Sequence, residues 1–464
     1  MKKAKPVHWI PELRGDARQL YLQLVDAIAT DIQSGRLSTT DRLPPQRELA
    51  ARLNINYTTV SRAYHEAQRR GLIYSRVGQG TFVCRPRVGQ LSRPRGQSVV
   101  DMTMNLPPEP DDDGLLERLA QSLEQLGPRL RELLRYEEFG GSPEARRAGA
   151  TWIARVGLET EEHARLLVCP GAQSALFAAV SLLAKPGDVA VCEDITYPGL
   201  RAAATQLGVR LVGIPMDEHG ITPEALARAC ADHHPKLLYV NPTLQNPTTR
   251  TIPLARRREL VRVVRSHGLS IVEDDAYGVL PSAVHEPFAQ LAPDVTYYVS
   301  GFAKCLGPGL RVAYLLAPDV RRAARLASIL RATAVMASPI TVALATECVE
   351  NGTAEAALLA IRAESIARQT IVREVLASAD YATHPEAFHL WLSLPSAWPR
   401  ASFAAELLQR GIQAVTSDAF AVGPHPPEAL RVCLGGSVSR DEIRQVLQTV
   451  EEVLQQRPDA SSAG

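Results

Sequence analysis

The stretch Ser300-Gly301-Phe302-Ala303-Lys304-Cys305-Leu306-Gly307-Pro308-Gly309-Leu310-Arg311 lodges one lysine among small residues directly after an apolar run. Residues 295–299 and 311–316 are predicted as buried strands, so Lys304 falls on the loop between two core strands. Gly301, Ala303, Gly307 and Gly309 leave room for a flat ligand to approach the backbone. A lysine desolvated in such a place loses its proton more readily than one in water, and an uncharged amine forms Schiff bases. A surface loop with an idle lysine could carry the same residues, so the rest of the chain must decide.

Other candidates lie where predicted strands end. Short apolar strands are expected at 166–169, 189–192, 211–214, 237–240 and 269–272, alternating with helical segments from about residue 145 onward. Such alternation builds a mainly parallel sheet with helices on both faces, and these sheets bind ligands beyond the carboxyl ends of their strands. Pro170-Gly171-Ala172-Gln173 leaves a strand through glycine and enters a helix, the geometry that aims backbone N–H groups at a phosphate. Asn241-Pro242-Thr243-Leu244-Gln245-Asn246-Pro247-Thr248 follows the strand at 237–240, and Glu273-Asp274-Asp275-Ala276-Tyr277 follows the one at 269–272. A carboxylate at a strand end can equally cap a helix or pair with a neighbour.

At 464 residues the chain is too long for one ordinary core and suggests two or three units. No apolar run reaches the length of a membrane span, and no apolar segment follows Met1-Lys2-Lys3-Ala4-Lys5-Pro6, so no membrane anchor or signal peptide is expected. The seven cysteines are scattered, odd in number and without Cys-x-x-Cys spacing, which points to a reducing compartment and away from a metal site. The net charge of +1 divides unevenly: residues 1–100 hold 17 Lys and Arg against 7 Asp and Glu, the remainder 34 against 43. A basic head on an acidic body suits a polyanion partner for the head alone, although a basic face can also be merely solvated.

The head reads as helix, helix, short turn, helix, hairpin. Tyr21, Leu24, Val25, Ile28 and Ile32 recur at helical spacing over about 19–34, and a second helix is expected to open at Leu43. A third carries Val60, Ala63, Tyr64 and Ala67 inward, while Thr58, Thr59, Ser61, Arg62 and His65 offer donors and charge suited to a major groove. Residues 72–76 and 81–83 flank Val77-Gly78-Gln79-Gly80 as a hairpin. This string, from Leu43 through Arg47-Glu48-Leu49-Ala50, Thr59-Val60, Ala63-Tyr64 and Gly78-Gln79-Gly80-Thr81-Phe82-Val83, resembles the winged helix-turn-helix of GntR-type bacterial regulators across 10–83. The resemblance implies a double-stranded DNA operator as partner and DNA-facing roles for Arg47, Thr58, Thr59, Arg62, Arg76, Gly78 and Gly80. Tyr57 stands where relatives often carry arginine. A basic Pro/Arg linker is expected over 84–100 and a disordered tail over 458–464.

In order, Gly171-Ala172-Gln173, Tyr197, Gln245-Asn246-Pro247-Thr248, Asp274-x-x-Tyr277, Lys304 and Leu310-Arg311 resemble the site of fold-type I aminotransferases, which use pyridoxal 5′-phosphate; the likeness spans 101–457. It implies an α/β transferase fold with large and small subdomains, the small one comprising about 318 onward plus 101–135. Lys304 would hold the cofactor as an aldimine, with Asp274 against the ring nitrogen. Asn246 and Tyr277 would meet the ring oxygen, Tyr197 would stack on the ring, and Ala172, Gln173 and Arg311 would hold the phosphate. Tyr136 resembles the tyrosine such dimers lend to the neighbouring subunit, and Arg431 in Leu430-Arg431-Val432 the arginine that takes a substrate carboxylate. Gly301 and Ala303 replace serines common in relatives, which implies weaker phosphate anchoring.

Head and body together resemble the MocR subfamily: a cytoplasmic, bacterial, head-to-tail homodimer with no membrane partner that senses the cofactor or a small amino-compound effector. Two alternatives stay open, an aminotransferase with an accessory DNA-binding head and a DNA-binding protein whose body only dimerises.

Overall fold

The structure is a computed structural model that describes residues 9–11, 20–33, 36–37, 41–69, 72–76, 80–83 and 99–456. The chain divides into two compact units at Ser98/Val99. Gly78, the expected linker up to Ser98 and the expected tail lie outside the described residues, and of Arg76 only the backbone is described.

In the first unit, α1 (Leu20–Gln33), α2 (Gln46–Leu53) and α3 (Tyr57–Arg69) surround one small core. Leu24, Val25, Ile28, Leu49, Val60, Ala63, Tyr64 and Ala67 are buried in it, at the three- and four-residue spacing that keeps them on one side of each helix. The second helix begins at Gln46 rather than at Leu43. Pro45 stays extended (ψ 139°), and the residue before a proline avoids the helical region, so Leu43 instead donates its N–H to Thr81 (2.9 Å). Asn54 closes α2 in the left-handed conformation, and the Asn56 carboxamide opens α3 by accepting from the Thr58 N–H at 2.9 Å. The hairpin β1 (Ile73–Arg76) and β2 (Gly80–Val83) is antiparallel. Gly80 has φ +116°, and a Cβ there would stand 2.6 Å from Arg42 Nε, so only glycine fits.

The second unit opens with β3 (Val100–Asp101), so the last residue of the expected linker already belongs to a strand. Helices α4 (Asp113–Glu124), α5 (Leu130–Leu133) and α6 (Pro143–Ile153) lead into an alternating series. It runs β4 (Leu166–Cys169), α7 (Ala172–Leu183), β5 (Val189–Glu193), α8 (Pro198–Leu207), β6 (Arg210–Ile214), a ribbon β7 (Met216–Asp217) and β8 (Gly220–Ile221), α9 (Pro223–His233), β9 (Leu237–Val240), α10 (Leu254–His267), β10 (Ser270–Asp274), α11 (Phe288–Leu291), β11 (Thr296–Gly301) and β12 (Ala313–Leu316). Seven of these strands form one sheet in the order β4-β12-β11-β10-β9-β5-β6, with β12 antiparallel to both neighbours and the other paired neighbours parallel. All but the edge strand β6 are buried on both faces, as a parallel sheet between helix layers requires.

After the sheet come α12 (Val320–Ala334), α13 (Pro339–Glu350), α14 (Thr353–Val375), β13 (Tyr381–Ala382), β14 (His389–Ser393), α15 (Arg400–Gln409), β15 (Ile412–Gln413), β16 (Val415–Thr416), β17 (Ala429–Cys433) and α16 (Arg440–Gln455). A four-stranded sheet, β13-β14-β17-β16, carries a further core that includes Met102, Ile371, Leu390, Phe403, Leu430 and Leu447. This core begins within α14, not at about 318. Ala323, Leu326 and Leu330 of α12 pack with α7 against the large sheet, while α14 contributes Leu358 and Ile361 to the large core and Ile371 and Val372 to the small one. β3 pairs with β15, which ties the first residues of the body to the small core.

Candidate functional site

The parallel strands β4, β5, β9, β10 and β11 all end on one edge, and because β12 runs the other way its beginning lies on that same edge. The sheet therefore delivers Gly171, Tyr197, Asn246, Asp274, Lys304 and Arg311 to one place although they span 140 positions of sequence. A cavity of about 230 Å³ is lined there by Ala172, Gln173, Tyr197, Asn246, Asp274, Tyr277, Lys304 and Arg311.

At one end of the cavity α7 starts from Gly171, whose φ of +92° only glycine takes readily. A Cβ on Gly171 would lie 2.6 Å from Arg311 Nη2, so its absence admits the guanidinium to the helix start. The first N–H groups of α7, those of Ala172 and Gln173, have no carbonyl to reach within the helix, and together with Arg311 they make a cradle for an anion. The Gln173 Nε2 is committed elsewhere, donating to the Gly199 carbonyl at 2.8 Å, so the donor that Gln173 offers the cradle is its backbone N–H.

Asp274 ends β10 in full burial. Tyr239 donates to its Oδ2 at 2.8 Å, and Oδ1 has no hydrogen-bond partner among the described residues. Burial raises the Asp274 carboxyl to about 6, against the Tyr239 hydrogen bond and the nearby charge of Lys304. Glu193, buried one strand beyond β9, is raised to about 7 for the same reason and accepts from the Asn241 N–H at 2.7 Å. Asn241 in turn donates to the Asp274 carbonyl (2.5 Å) and accepts from the Asn246 N–H (2.7 Å), which fixes the two site residues against each other.

Lys304 keeps some surface open to the cavity, yet it lies deep among protein atoms, and this burial lowers its pKa to about 8 despite the pull of Asp274. Its Nζ donates to the Asn105 carbonyl at 2.5 Å and stands 5.4 Å from the centre of the Tyr277 ring. Asn105 also donates through Nδ2 to the Tyr277 hydroxyl (2.8 Å) and lies 3.2 Å from His389 Nδ1. Burial pushes Tyr277 up and His389 down to about 3, so both are neutral donors and acceptors near neutrality.

Arg431, on β17, is buried and reaches across to the same edge. Its Nη1 donates to Asn246 Oδ1 at 2.7 Å, its Nη2 to the Thr103 carbonyl, and its guanidinium lies 4.8 Å from the Phe420 ring centre. Tyr136 is 81 % exposed and does not line the cavity. Gly301 faces Ala313 across β11 and β12, and a Cβ would stand 2.9 Å from both the Cα and Cβ of Ala313, so close strand pairing excludes serine there. Ser300 is buried within β11 and is not among the lining residues, whereas Ala303 is.

In the head, Arg47 and Arg62 are exposed, Arg47 lying 5.9 Å from the Tyr57 ring centre and Arg62 4.2 Å from that of Tyr21. Thr58 is exposed but its hydroxyl donates to Asn56 Oδ1 at 2.8 Å; Thr59 is half-buried on the same first turn of α3. Sequence reasoning missed Thr103, Asn105, Tyr239, Asn241 and His389. Only Asn241 carried a signal, a carboxamide directly after a predicted strand end.

The donor set fits pyridoxal 5′-phosphate: an anion cradle at Gly171 and Arg311, a buried carboxylate with one free oxygen, and a lysine of lowered pKa share one cavity. Among the described residues no helix is long and apolar enough to cross a membrane, and no group of side chains suited to a metal ion occurs.

Two family models match the chain, "Aminotransferase class I and II" over residues 97–450 and "Bacterial regulatory proteins, gntR family" over 20–83. The chain is 29% identical over 454 residues to the uncharacterised HTH-type transcriptional regulator YdeF of Bacillus subtilis, covering 97% of each. It is 26% identical over 330 residues to the "Probable rhizopine catabolism regulatory protein MocR" of Rhizobium meliloti, covering 64% of this chain and 65% of that one. Its fold is similar to that of the α-aminoadipate aminotransferase LysN of Thermus thermophilus, a structure complexed with N-(5′-phosphopyridoxyl)-L-leucine, with a TM-score of 0.70 and 23% identity over 77% of this chain and 92% of that chain.

Proposed function

The chain belongs to the aminotransferase class I and II family and, with its gntR-family head, has the two-part architecture of MocR-type regulators; on that premise we propose a DNA-binding transcription regulator whose body holds pyridoxal 5′-phosphate at Lys304 and reads an amino compound there. The observation that carries the reading is the meeting of Lys304, the free oxygen of Asp274 and the Gly171–Arg311 cradle in one cavity of a chain that also carries a DNA-binding type of head.

Bound there, the cofactor would supply a carbonyl that condenses with amines and a cationic ring that draws electrons. The α7 start and Arg311 would hold its phosphate, Asp274 would hold its ring N–H, and Asn246 and Tyr277 would hold its ring oxygen, with Tyr197 against the ring face. Lys304 can give up its proton near neutrality because burial has already lowered its affinity for one. Arg431 would take a carboxylate on the amino compound, exchanging its hold on the Thr103 carbonyl for a two-bond ion pair. An effector shifts the affinity for DNA only so far as it binds one arrangement of the body better than another. The exposed apolar side chains Leu116, Leu123, Leu130, Leu134 and Tyr136 support a homodimer that covers them. Action on DNA in a bacterium puts the protein in the cytoplasm.

A second reading, an aminotransferase with an accessory head, draws support from the completeness of the residue set. Incubating the full chain with pyridoxal 5′-phosphate and then a panel of amines, while following visible absorbance and affinity for its own upstream DNA together, separates the two. Effectors that change both support the regulator; steady turnover of an amino donor and a keto acceptor with constant DNA affinity supports the enzyme.

A further inference from the structure

Tyr239 is a core tyrosine whose hydroxyl needs explaining. It is fully buried in the middle of the sheet, where phenylalanine would fill nearly the same space without a polar atom to satisfy. On β9 the side chains alternate, Leu237 and Tyr239 packing into the core on the α7 side and Leu238 and Val240 into the opposite one. β10 runs parallel to β9 with Tyr239 opposite Val272, and Val272 packs into the same core as Tyr239. The next residue of β10 on that face is Asp274, the diagonal neighbour of Tyr239, a separation an aromatic side chain spans. The hydroxyl ends 2.8 Å from Asp274 Oδ2.

We propose that Tyr239 is a positioning residue for Asp274: from the neighbouring strand it pins one carboxylate oxygen and keeps the group an anion, so that the other oxygen meets a cationic ring N–H in the cavity. This deepens the cofactor reading and rests on it for the identity of the ring. Titratable groups face Asp274 from every side, Tyr239 on β9, Glu193 on β5, Lys304 on the loop after β11, Asp275 next in sequence, and Tyr197 and Tyr277 at the cavity. Of these, Lys304 alone is cationic, and Glu193 and Asp275 work against a third negative charge. Burial already lifts the carboxyl to about 6. Without the phenolic donor it would drift further toward the neutral acid, which has no charge to offer a cationic ring.

The experiment compares the full-length chain with Tyr239→Phe. Titrating each with pyridoxal 5′-phosphate should show the variant weaker by roughly ten- to a hundredfold, the worth of one hydrogen bond to a charged group. The ratio of the two dissociation constants should grow as pH falls toward about 6, where the variant has already lost part of its anion and the wild type has not, and level off below it, where both are protonated; titrations of the cofactor itself cancel in that ratio. In an Asp274→Asn background the same substitution should change nothing further. A ratio that is flat with pH, or an equal loss in the Asp274→Asn background, means that Tyr239 merely packs, and overturns the proposal. A second measurement needs no cofactor: the ¹³C carboxyl titration of Asp274, assigned by its loss in Asp274→Asn, should move to higher pH in Tyr239→Phe, and an unmoved titration also overturns it. If wild type takes up no cofactor at all, the reading of the cavity fails separately, and the carboxyl titration alone decides the role of Tyr239. An unchanged far-UV circular dichroism spectrum of the full chain serves as the folding control.

Discussion

In the head, the residues proposed to face DNA stand outside a small core: Arg47, Thr58 and Arg62 are exposed, and the arginines rest on tyrosine rings rather than in ion pairs with buried acids. In the body, Asp274, Tyr277, Asn246 and Arg431 are buried, bonded to residues far away in sequence, and left with unpaired atoms such as Asp274 Oδ1 and Arg431 Nε. The two regions meet their ligands under different dielectric conditions. A phosphate backbone is met by many solvated contacts, each worth little and all screened by salt. A small ligand in a buried cavity is met by few contacts, each expensive to lose. On the proposed function, one chain thus holds a site for many weak contacts and another for a few strong ones.

Disrupting each unit by itself tests that contrast most severely. Val60→Asp puts an unpaired charge into the core of α1–α3, a penalty of several kcal/mol for a small core, and should abolish DNA binding while cofactor uptake by the body survives. Loss of both functions together would show that the units do not fold separately. Lys304→Ala is its mirror: covalent capture of pyridoxal 5′-phosphate by borohydride should vanish by mass spectrometry, and with it any response of DNA affinity to amines, with basal DNA affinity within about twofold of wild type, the expectation for independent sites. A variant that still responds on DNA would remove the cavity from the sensing mechanism.

Arg431→Gln should weaken carboxylate-bearing amines by roughly a hundredfold in an absorbance titration, in line with about 3 kcal/mol for a buried charged hydrogen-bond pair, and leave amines without a carboxylate unaffected. Equal losses for both classes would assign Arg431 to holding Asn246 rather than to the ligand. In the head, Arg62→Ala should cost only about tenfold in affinity for the upstream DNA and lower the salt dependence by about one counterion. A hundredfold loss there would erase the contrast between the regions.

The smallest effect concerns pH. Because burial favours the neutral amine of Lys304, its labelling by a small aldehyde in the cofactor-free chain should rise with pH through a midpoint near 8 instead of one near 10.5, and Asp274→Asn should move the midpoint lower by removing an anion that favours the ammonium. The linkage has the corresponding sign. Between about 8 and 10.5 the unfolded chain binds the extra proton, so wild type gains stability relative to Lys304→Met as pH rises through that window.

Much of this architecture is legible in the sequence because it rests on local patterns. Spacings of three and four define α1 and α3, apolar runs give the strands, and glycine at 171 marks a strand leaving into a helix. Site residues at strand ends follow from the same alternation, since a sheet of this type gathers such ends on one edge. Where local rules compete, sequence reading slips by a few residues, as at Leu43, where the proline pair holds the chain extended and postpones α2 to Gln46.

Sequence alone could not find Asn105, whose bonds join Lys304 and Tyr277 across 199 and 172 positions, nor place the start of the small core inside α14, because nothing in a continuous helix marks where its packing partner changes. The glycine at 301 looked like a lost serine until strand pairing set Ala313 against it. By itself the sequence determined the elements, their order and the edge on which chemistry gathers, since those follow from periodicity and backbone sterics. Tertiary structure alone decided which oxygen of Asp274 is left free, which carbonyls hold Lys304 and Arg431, and that a tyrosine of a core strand tends the carboxylate, since these depend on distances between strands that no local pattern encodes.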